Sequence, residues 1–528
     1  MLSVEQITRI ALRENDGQGK LLRTRNQLTP APSDVEAYIT AVQAALSKPN
    51  EIPAFSPSSR PLSVVRFRCL LQDTGYPAEV YLPDEAPAGE QVDWSKLRER
   101  WVGWAVEVPG EQAWSRLGSS DIASHLASLD LADAPLPAAI KGKYPLAQDR
   151  YTGALLKVYD DVSFRPASAY DVVGIVSAAP VPTPYSGDED AEAPLAPAIH
   201  VLSTPVQAYP PPPGPTPVAD DSVRSRLVAY LASAFSPPDE TAGELLLLTL
   251  IASPASRPVG LAPLGTLAVN LLRQPVPSAA LHTILASLAP TFIALKLTLE
   301  LLHARAFRPA SSDGTSLAPG LLQLAPGTVL AVDESGLGEG GQLRELAVKN
   351  VQALGEAIEQ QVVRYEYPFM DGLKMETAVR AVIESEGKSL LPADVHVPVV
   401  LSSAAPAASD AELAAFRAYL AYHGSTGQAG KMDIPDAVGT AIQDGFVDER
   451  KAAGTGSVEA AEARLRRRMK LARLVALSYP DATLTTERWE QTVRLDNDVE
   501  GRLARREEER RNTKLGAPTA NGTPATST

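Results

Sequence analysis

The stretch Gly265-Thr-Leu-Ala-Val-Asn-Leu-Leu272-Arg273-Gln274-Pro275-Val276-Pro277-Ser278-Ala-Ala-Leu-His282-Thr-Ile-Leu285 decides how the second half of this chain is read. A short apolar run of buried-strand type ends at Leu272, a six-residue loop follows, and a helical pattern begins at Ser278. Strand, tight loop and helix form the scaffold on which nucleoside triphosphatases cradle phosphate. That chemistry needs glycines for close backbone approach and a lysine for charge, and this loop has neither. Pro275 and Pro277 also remove backbone N–H groups where phosphate oxygens would require donors. The scaffold is expected here with its phosphate loop eroded at Arg273, Gln274, Pro275, Pro277 and Ser278.

Downstream, Thr328-Val-Leu-Ala-Val-Asp333-Glu334 has the form of a Walker B strand, in which an apolar strand delivers two carboxylates. Without a phosphate loop, Asp333 and Glu334 are read as a carboxylate pair capping a buried strand. A second fragment, Glu386-Gly387-Lys388-Ser389, imitates the end of a phosphate loop. The leading glycine would fall on Val382, which is β-branched, and the fragment follows the Walker B strand instead of preceding it.

Around these landmarks the chain divides. Residues 1–60 are read as a helical segment. Residues 61–178 alternate with period two: Val65, Phe67, Cys69 and Leu71 share one face while Arg66, Arg68 and Gln72 share the other. Leu62–Asp73, Ala78–Leu82, Trp101–Val108, Gly153–Tyr159 and Val172–Val176 are five expected strands, which fit a small OB-like β-barrel. Residues 179–220 hold twelve prolines between Pro180 and Pro217, the run Pro210–Pro213, and an acidic patch at Asp188–Glu192. This reads as a stiff linker or insertion, within which Ile199–Leu202 is able to dock as a strand. Residues 221–410 alternate helices with buried strands, an α/β domain of parallel type. Residues 411–503 are helical, with a short last helix at Thr485–Leu495, and 504–528 form a charged tail that ends polar and disordered.

Composition sets outer bounds. Of 528 residues, 49 are Lys or Arg and 63 are Asp or Glu, a net charge of −14, which disfavours bulk coating of nucleic acid. The single cysteine, Cys69, excludes an intramolecular disulfide framework and a cysteine-built zinc site, and six scattered histidines show no ligand spacing, so no metal and no cofactor is expected. Without a signal-type leader or a membrane-length apolar run, the chain reads as soluble. The clearest charge cluster is Arg464, Arg466, Arg467, Arg468, Lys470 and Arg473 on one helix. It is read as a solvated face, or as a partner contact to an acidic surface.

Several segments carry a resemblance. GTLAVNLLRQPVPSAALHTILASLAP, GLLQLAPGTVLAVDES, AIEQQVVRYEYP and LARLVALSYPDATLTTERWEQTVRL resemble, in order, the ATPase elements and C-terminal lid of the minichromosome maintenance (MCM) replicative helicases. VVRFRCLLQDTGYPAEVYL, LLKVYDD, DVVGIVS, AIHVL, AVKNVQAL and SEGKSLLPADVHVPV are similar to segments of the non-catalytic MCM complex-binding protein family, from Val64 to Leu503. The resemblance implies an OB-like β domain, then a degenerate AAA+-like α/β domain with a helical lid. It further implies a nuclear, non-enzymatic protein that binds MCM helicase subunits and touches chromatin only through them. Its role would be to chaperone or unload the complex in DNA replication and sister-chromatid cohesion. Two other classes stay open: an active ATPase using Lys388 and Asp333, and a single-strand nucleic-acid module using Trp101, Trp104 and Trp114.

Overall fold

The computed structural model describes residues 2–22, 34–83, 93–116, 138–181, 195–202, 207–209, 221–425, 432–453 and 458–515, with short exceptions at 149, 161–163, 276, 315, 339–341 and 369. The acidic patch at Asp188–Glu192, the run Pro210–Pro213 and the tail beyond 515 lie outside the described residues. The chain is mixed α/β and forms two compact units. The first comprises residues 1–214, 289–330 and 337–379; the second comprises 215–288, 331–336 and 380–528.

The first unit opens with α1 (Val4–Leu22) and α2 (Val35–Leu46). Strands β1 (Val64–Asp73), β2 (Glu79–Tyr81), β3 (Arg98–Glu107), β4 (Gly153–Val158), β5 (Ala169–Pro180), β6 (Leu195–Val201) and β7 (Gln207–Tyr209) follow, with the one-turn helix α3 (Ala138–Lys141) between β3 and β4. Five strands close in the order β1-β3-β4-β6-β5 and back to β1. All these pairings are antiparallel except β4 with β6.

The expected period-two face is present. Val65, Phe67, Cys69 and Leu71 pack with Ala105, Ala154, Leu156, Val158, Val172, Val176, Ile199 and Val201 inside the ring. The opposite strand face is buried too. Leu70, Val102, Trp104 and Val106 pack with Ile140, Tyr144 and Tyr151, and a further patch lies under α1 and α2. Gly174 is required where β5 meets β6, because a Cβ there would stand 2.4 Å from the carbonyl oxygen of His200.

Two strand assignments need correction. The fifth ring strand is Leu195–Val201, inside the span read as a Pro-rich linker, whereas Glu79–Tyr81 only extends the edge of β3. Pro197 did not forbid a strand, since a missing N–H is tolerated near a strand's start and where no ladder bond is due.

A polar network joins α1 to the ring. Glu14 accepts from the Arg100 guanidinium at 2.6 Å and from Lys157 Nζ at 2.8 Å, and Tyr159 Oη lies 2.6 Å from His200 Nδ1. Burial pushes the Glu14 carboxyl up, but the Arg100 hydrogen bond and the nearby cations outweigh it and hold it at about 2. Burial, seconded by Lys157 and Arg100, drives His200 down to about 3.

In the second unit α4 (Asp221–Ala232) and α5 (Glu240–Ile251) precede β8 (Val269–Leu272) and α6 (Ala279–Leu288). From Ala242 to Ile251 every residue of α5 is buried, as expected for a helix apolar all round. The chain then returns to the first unit as β9 (Phe292–Lys296) and α7 (Leu299–Ala304). β10 (Val329–Asp333) gives its first two residues to the first unit and its last three to the second. After α8 (Glu345–Glu359) and the hairpin of β11 (Val362–Tyr367) with β12 (Met370–Glu376), the chain re-enters the second unit. There β13 (Arg380–Ser385) and β14 (Val395–Pro398) both run parallel to β8, and the order is β14-β8-β13-β10. The stretch 221–410 read as one domain is thus shared between two units. The cause is visible in the first unit: Gln323 Nε2 donates to the carbonyl of Gln72 at 2.9 Å, and the Leu317 N–H donates to Asp73 at 3.0 Å, tying 289–330 to β1.

Helices α9 (Asp410–His423), α10 (Asp436–Ala453), α11 (Val458–Leu477) and α12 (Thr486–Leu515) complete the unit. The last helix, expected to end near Leu495, continues to Leu515, through the first part of the expected tail. Among the described residues no helix is long and apolar enough to cross a membrane.

The first unit is expected to lose stability in acid. Both shifted groups have folded pKa values below their ordinary ones, so their contributions are complete at neutral pH. His200's fades as pH falls from 6.5 toward about 3, and Glu14's from 4.5 toward about 2. Thermal melts from pH 7 to pH 3 check this. Glu14→Gln should lower the neutral-pH melting temperature and flatten the acid limb, and an unchanged limb would contradict the assignment.

Candidate functional site

The site is built at the carboxyl ends of the parallel strands in the second unit, where open α/β sheets place their ligands. Three strand ends supply it: Arg273 just after β8, Asp333 and Glu334 at the end of β10, and Glu384 near the end of β13.

Arg273 is the centre. Its backbone N–H donates to the Ser385 carbonyl at 2.9 Å, which pins the loop to β13. Its side chain is only 4% exposed, and the guanidinium donates to Asp333 Oδ1 at 2.9 Å. On its other side Nε stands 3.4 Å from Glu384 Oε2. Glu384 is fully buried; it also accepts from the Ser278 hydroxyl and lies 2.7 Å from His282 Nε2. Ser278 precedes and His282 lies on the first turn of α6, so the position of the phosphate loop is filled by a guanidinium, two carboxylates, a hydroxyl and an imidazole.

The neighbouring carboxylates are held differently. Burial raises the Asp333 carboxyl, but hydrogen bonds from the Ser335 backbone and hydroxyl and from Arg273 outweigh it, leaving the group below the usual carboxylate range. Burial prevails at Glu334 and pushes it up. Glu334 Oε1 accepts from the Ser389 hydroxyl at 3.1 Å and the Leu390 N–H at 3.0 Å. The hydroxyl that imitated a phosphate-loop serine is therefore bonded to the Walker-B-like glutamate, while Lys388 is exposed.

A triphosphate with its magnesium does not fit this residue set. Gln274, Pro275 and Pro277 are exposed, the two prolines offer no N–H, Asp333 is already paired with the buried Arg273, and Glu334 accepts from Ser389 and Leu390.

The basic helix face, α11, is engaged within its own unit. Arg464 bonds Glu500 at 3.1 Å, and Arg467 bonds Asp496 at 2.5 Å and Glu500 at 2.6 Å. Arg468 bonds Asp496 and Glu449, and Lys470 reaches Asp394 at 2.5 Å. Arg473 is partly buried, and burial lowers its pKa. Arg466 is the most exposed of these side chains at 79%, 3.6 Å from Glu462. Trp104 is fully buried in the first unit, and Trp101 packs on Phe164 with ring centroids 4.4 Å apart.

Sequence reasoning missed Glu384 and His282. Their signals were present: a glutamate closing the apolar run Ala381-Val-Ile383, and a Ser-x-x-x-His pair one helical turn apart.

Replacing Arg273 with Ala should leave two buried carboxylates without their shared cation, at a cost of about 3–5 kcal/mol. Adding Glu384→Gln to Arg273→Ala should recover part of that loss, because the two residues are coupled. Denaturant unfolding of the single and double variants measures it, and simple additivity would contradict the coupling.

Comparison with known proteins follows the same arrangement. The model of the mini-chromosome maintenance replisome factor family matches residues 134–503. A mini-chromosome maintenance complex-binding protein of Salmo salar is 30% identical over 441 residues, covering 74% of this chain and 66% of the relative. One of Homo sapiens is 29% identical over 408 residues, covering 67% and 62%. One of Arabidopsis thaliana is 30% identical over 290 residues, covering 53% and 47%. The chain thus spans two thirds or less of the length of these relatives, which are named as binding proteins. With its strand–loop–helix, its carboxylate-tipped β10 and the helices α9 to α11 inside the matched residues, the chain belongs to the mini-chromosome maintenance replisome factor family.

Proposed function

We propose that this chain binds subunits of the mini-chromosome maintenance complex as a nuclear, non-catalytic counterpart of a helicase subunit. It would act as a chaperone or unloader of that complex in DNA replication and sister-chromatid cohesion, and reach chromatin through it. The observation that carries the non-catalytic part is the Arg273 guanidinium set between Asp333 and Glu384. A protein's own cation there replaces the glycine N–H groups and the metal that phosphoryl transfer depends on. The binding part comes from the relatives' names.

The architecture supports the same reading. The five-strand ring, with one parallel pair and the order β1-β3-β4-β6-β5, is read as an OB-like barrel. The parallel strands with α6 after β8 and two carboxylates after β10 are read as a degenerate AAA+-like core, and α9–α12 as its helical lid. A module of this kind would engage a neighbouring subunit through an extended interface, where a few buried anchors carry most of the affinity.

Affinity capture of the full chain from nuclear extract, followed by mass spectrometry, tests the binding. Recovery of MCM subunits above a scrambled control is expected, and their absence would sink the proposal. Equilibrium binding of labelled ATP with Mg²⁺ tests the catalytic silence. No saturable binding is expected in the wild type or in Lys388→Ala, and micromolar binding lost in Lys388→Ala would establish the ATPase reading instead. Trp101→Ala separates the nucleic-acid reading: it should reduce stability by about 0.5–1.5 kcal/mol through the lost Phe164 contact. A salt-dependent single-strand affinity abolished by that change would contradict subunit mimicry.

A further inference from the structure

The outer half of α12 covers the first part of the stretch expected to be a charged tail. Its contacts are more specific. Asp498, Arg502, Arg506 and Arg510 recur every four residues and so lie along one face. Asp498 accepts from the Thr241 hydroxyl at 2.7 Å. Arg502 pairs with Asp239 at 2.5 Å and with Asp498 at 2.8 Å. One turn on, Arg506 donates to the Leu272 carbonyl at 2.5 Å and to the Glu386 carbonyl at 2.9 Å. These carbonyls sit at the carboxyl ends of β8 and β13, on either side of the Arg273 loop. Arg510 continues the line, with Nη2 3.8 Å from where a Cβ on Gly387 would stand.

The groups that Arg273 and Arg506 face at these strand ends are acceptors. They are the Leu272 and Glu386 carbonyls and the carboxylates of Asp333, Glu384 and Glu386, the last with an oxygen 3.9 Å from Arg273 Nη1. Arg273 meets the carboxylates from inside, and Arg506 meets the two carbonyls from α12. A phosphate site has the opposite polarity: converging N–H donors and a net positive field.

We propose that the strand-end crevice of the second unit is a guanidinium-binding site, and that α12 closes it in cis by inserting Arg506 as a cap. Arg273 is the permanent inner cation and Arg506 the outer one. The outer one is carried on a helix half that is anchored by Arg502 at Asp239 and has Arg505 and residues 507–512 exposed, so it is the part able to lift. Local opening of such a segment costs far less than global unfolding. The cap does not depend on what the protein binds, and it holds or fails independently of the partner reading.

Hydrogen exchange by mass spectrometry on the full chain tests it, using wild type, Arg506→Ala and Arg506→Lys. In Arg506→Ala, segments 386–391 and 504–512 should exchange about tenfold faster, while β8 stays protected as the control for folding. Arg506→Lys should fall between, because an ammonium cannot span two carbonyls with a planar fork. Low concentrations of guanidinium chloride, against sodium chloride at equal ionic strength, should restore protection of 386–391 in Arg506→Ala without restoring it at 504–512. Inorganic phosphate or ATP should restore neither. Unchanged exchange in Arg506→Ala would overturn the cap. Faster exchange that guanidinium does not slow, or that phosphate or ATP does slow, would overturn the assignment of the site.

Discussion

The second unit turns on one buried arginine. Arg273 joins the ends of three strands: it bonds the backbone of β13, the carboxylate that ends β10, and the carboxylate buried within β13. In a nucleotide-driven enzyme those strand ends are bridged by a ligand that comes and goes. Here a bridge between them is covalently part of the chain. A buried ion pair of this kind contributes little net stability compared with an apolar replacement, but it is costly to break halfway. Its consequence is specificity of structure: Glu384 and Asp333 have one place to be while Arg273 is present.

The same economy of ligand appears elsewhere in the chain. The α11 cations are neutralised by carboxylates of α10 and α12, and by Asp394 ahead of β14, so a face that looked available in one dimension is largely spoken for in three. In the first unit, Glu14, Arg100, Lys157, Tyr159 and His200 form another closed polar cluster, and there it attaches a helix to a barrel.

Much of the fold could be read from local pattern. The period-two run around Cys69, the apolar run of β10 and the leucine-rich α5 each stated their structure, because burial on one face or on all faces leaves a signature in the sequence. What failed were the features that depend on distant partners. β6 was masked by proline content, although its ladder lies on strands closed from elsewhere in the chain. The hairpin of β11 and β12 left no such signature at its start, since Gln360 and Gln361 carry no stop signal and the turn at Gln361 has a positive φ of 54° without a glycine. The division of 221–410 between two units was invisible, because the Gln72–Gln323 contact spans about half the chain.

For the candidate site the division is sharper. The sequence by itself determined that residues 273–278 lack the groups with which a phosphate loop holds its ligand, because proline has no N–H wherever it is placed and no glycine or lysine stands there. It also determined that two carboxylates end a buried strand. Only the tertiary structure decided what takes the place of the ligand. That depends on Arg273 meeting Glu384, more than one hundred residues away, and on Arg506 reaching the ends of β8 and β13. Charge is written in the sequence, but its sign at a point in space is a sum over every chain segment that folds to that point.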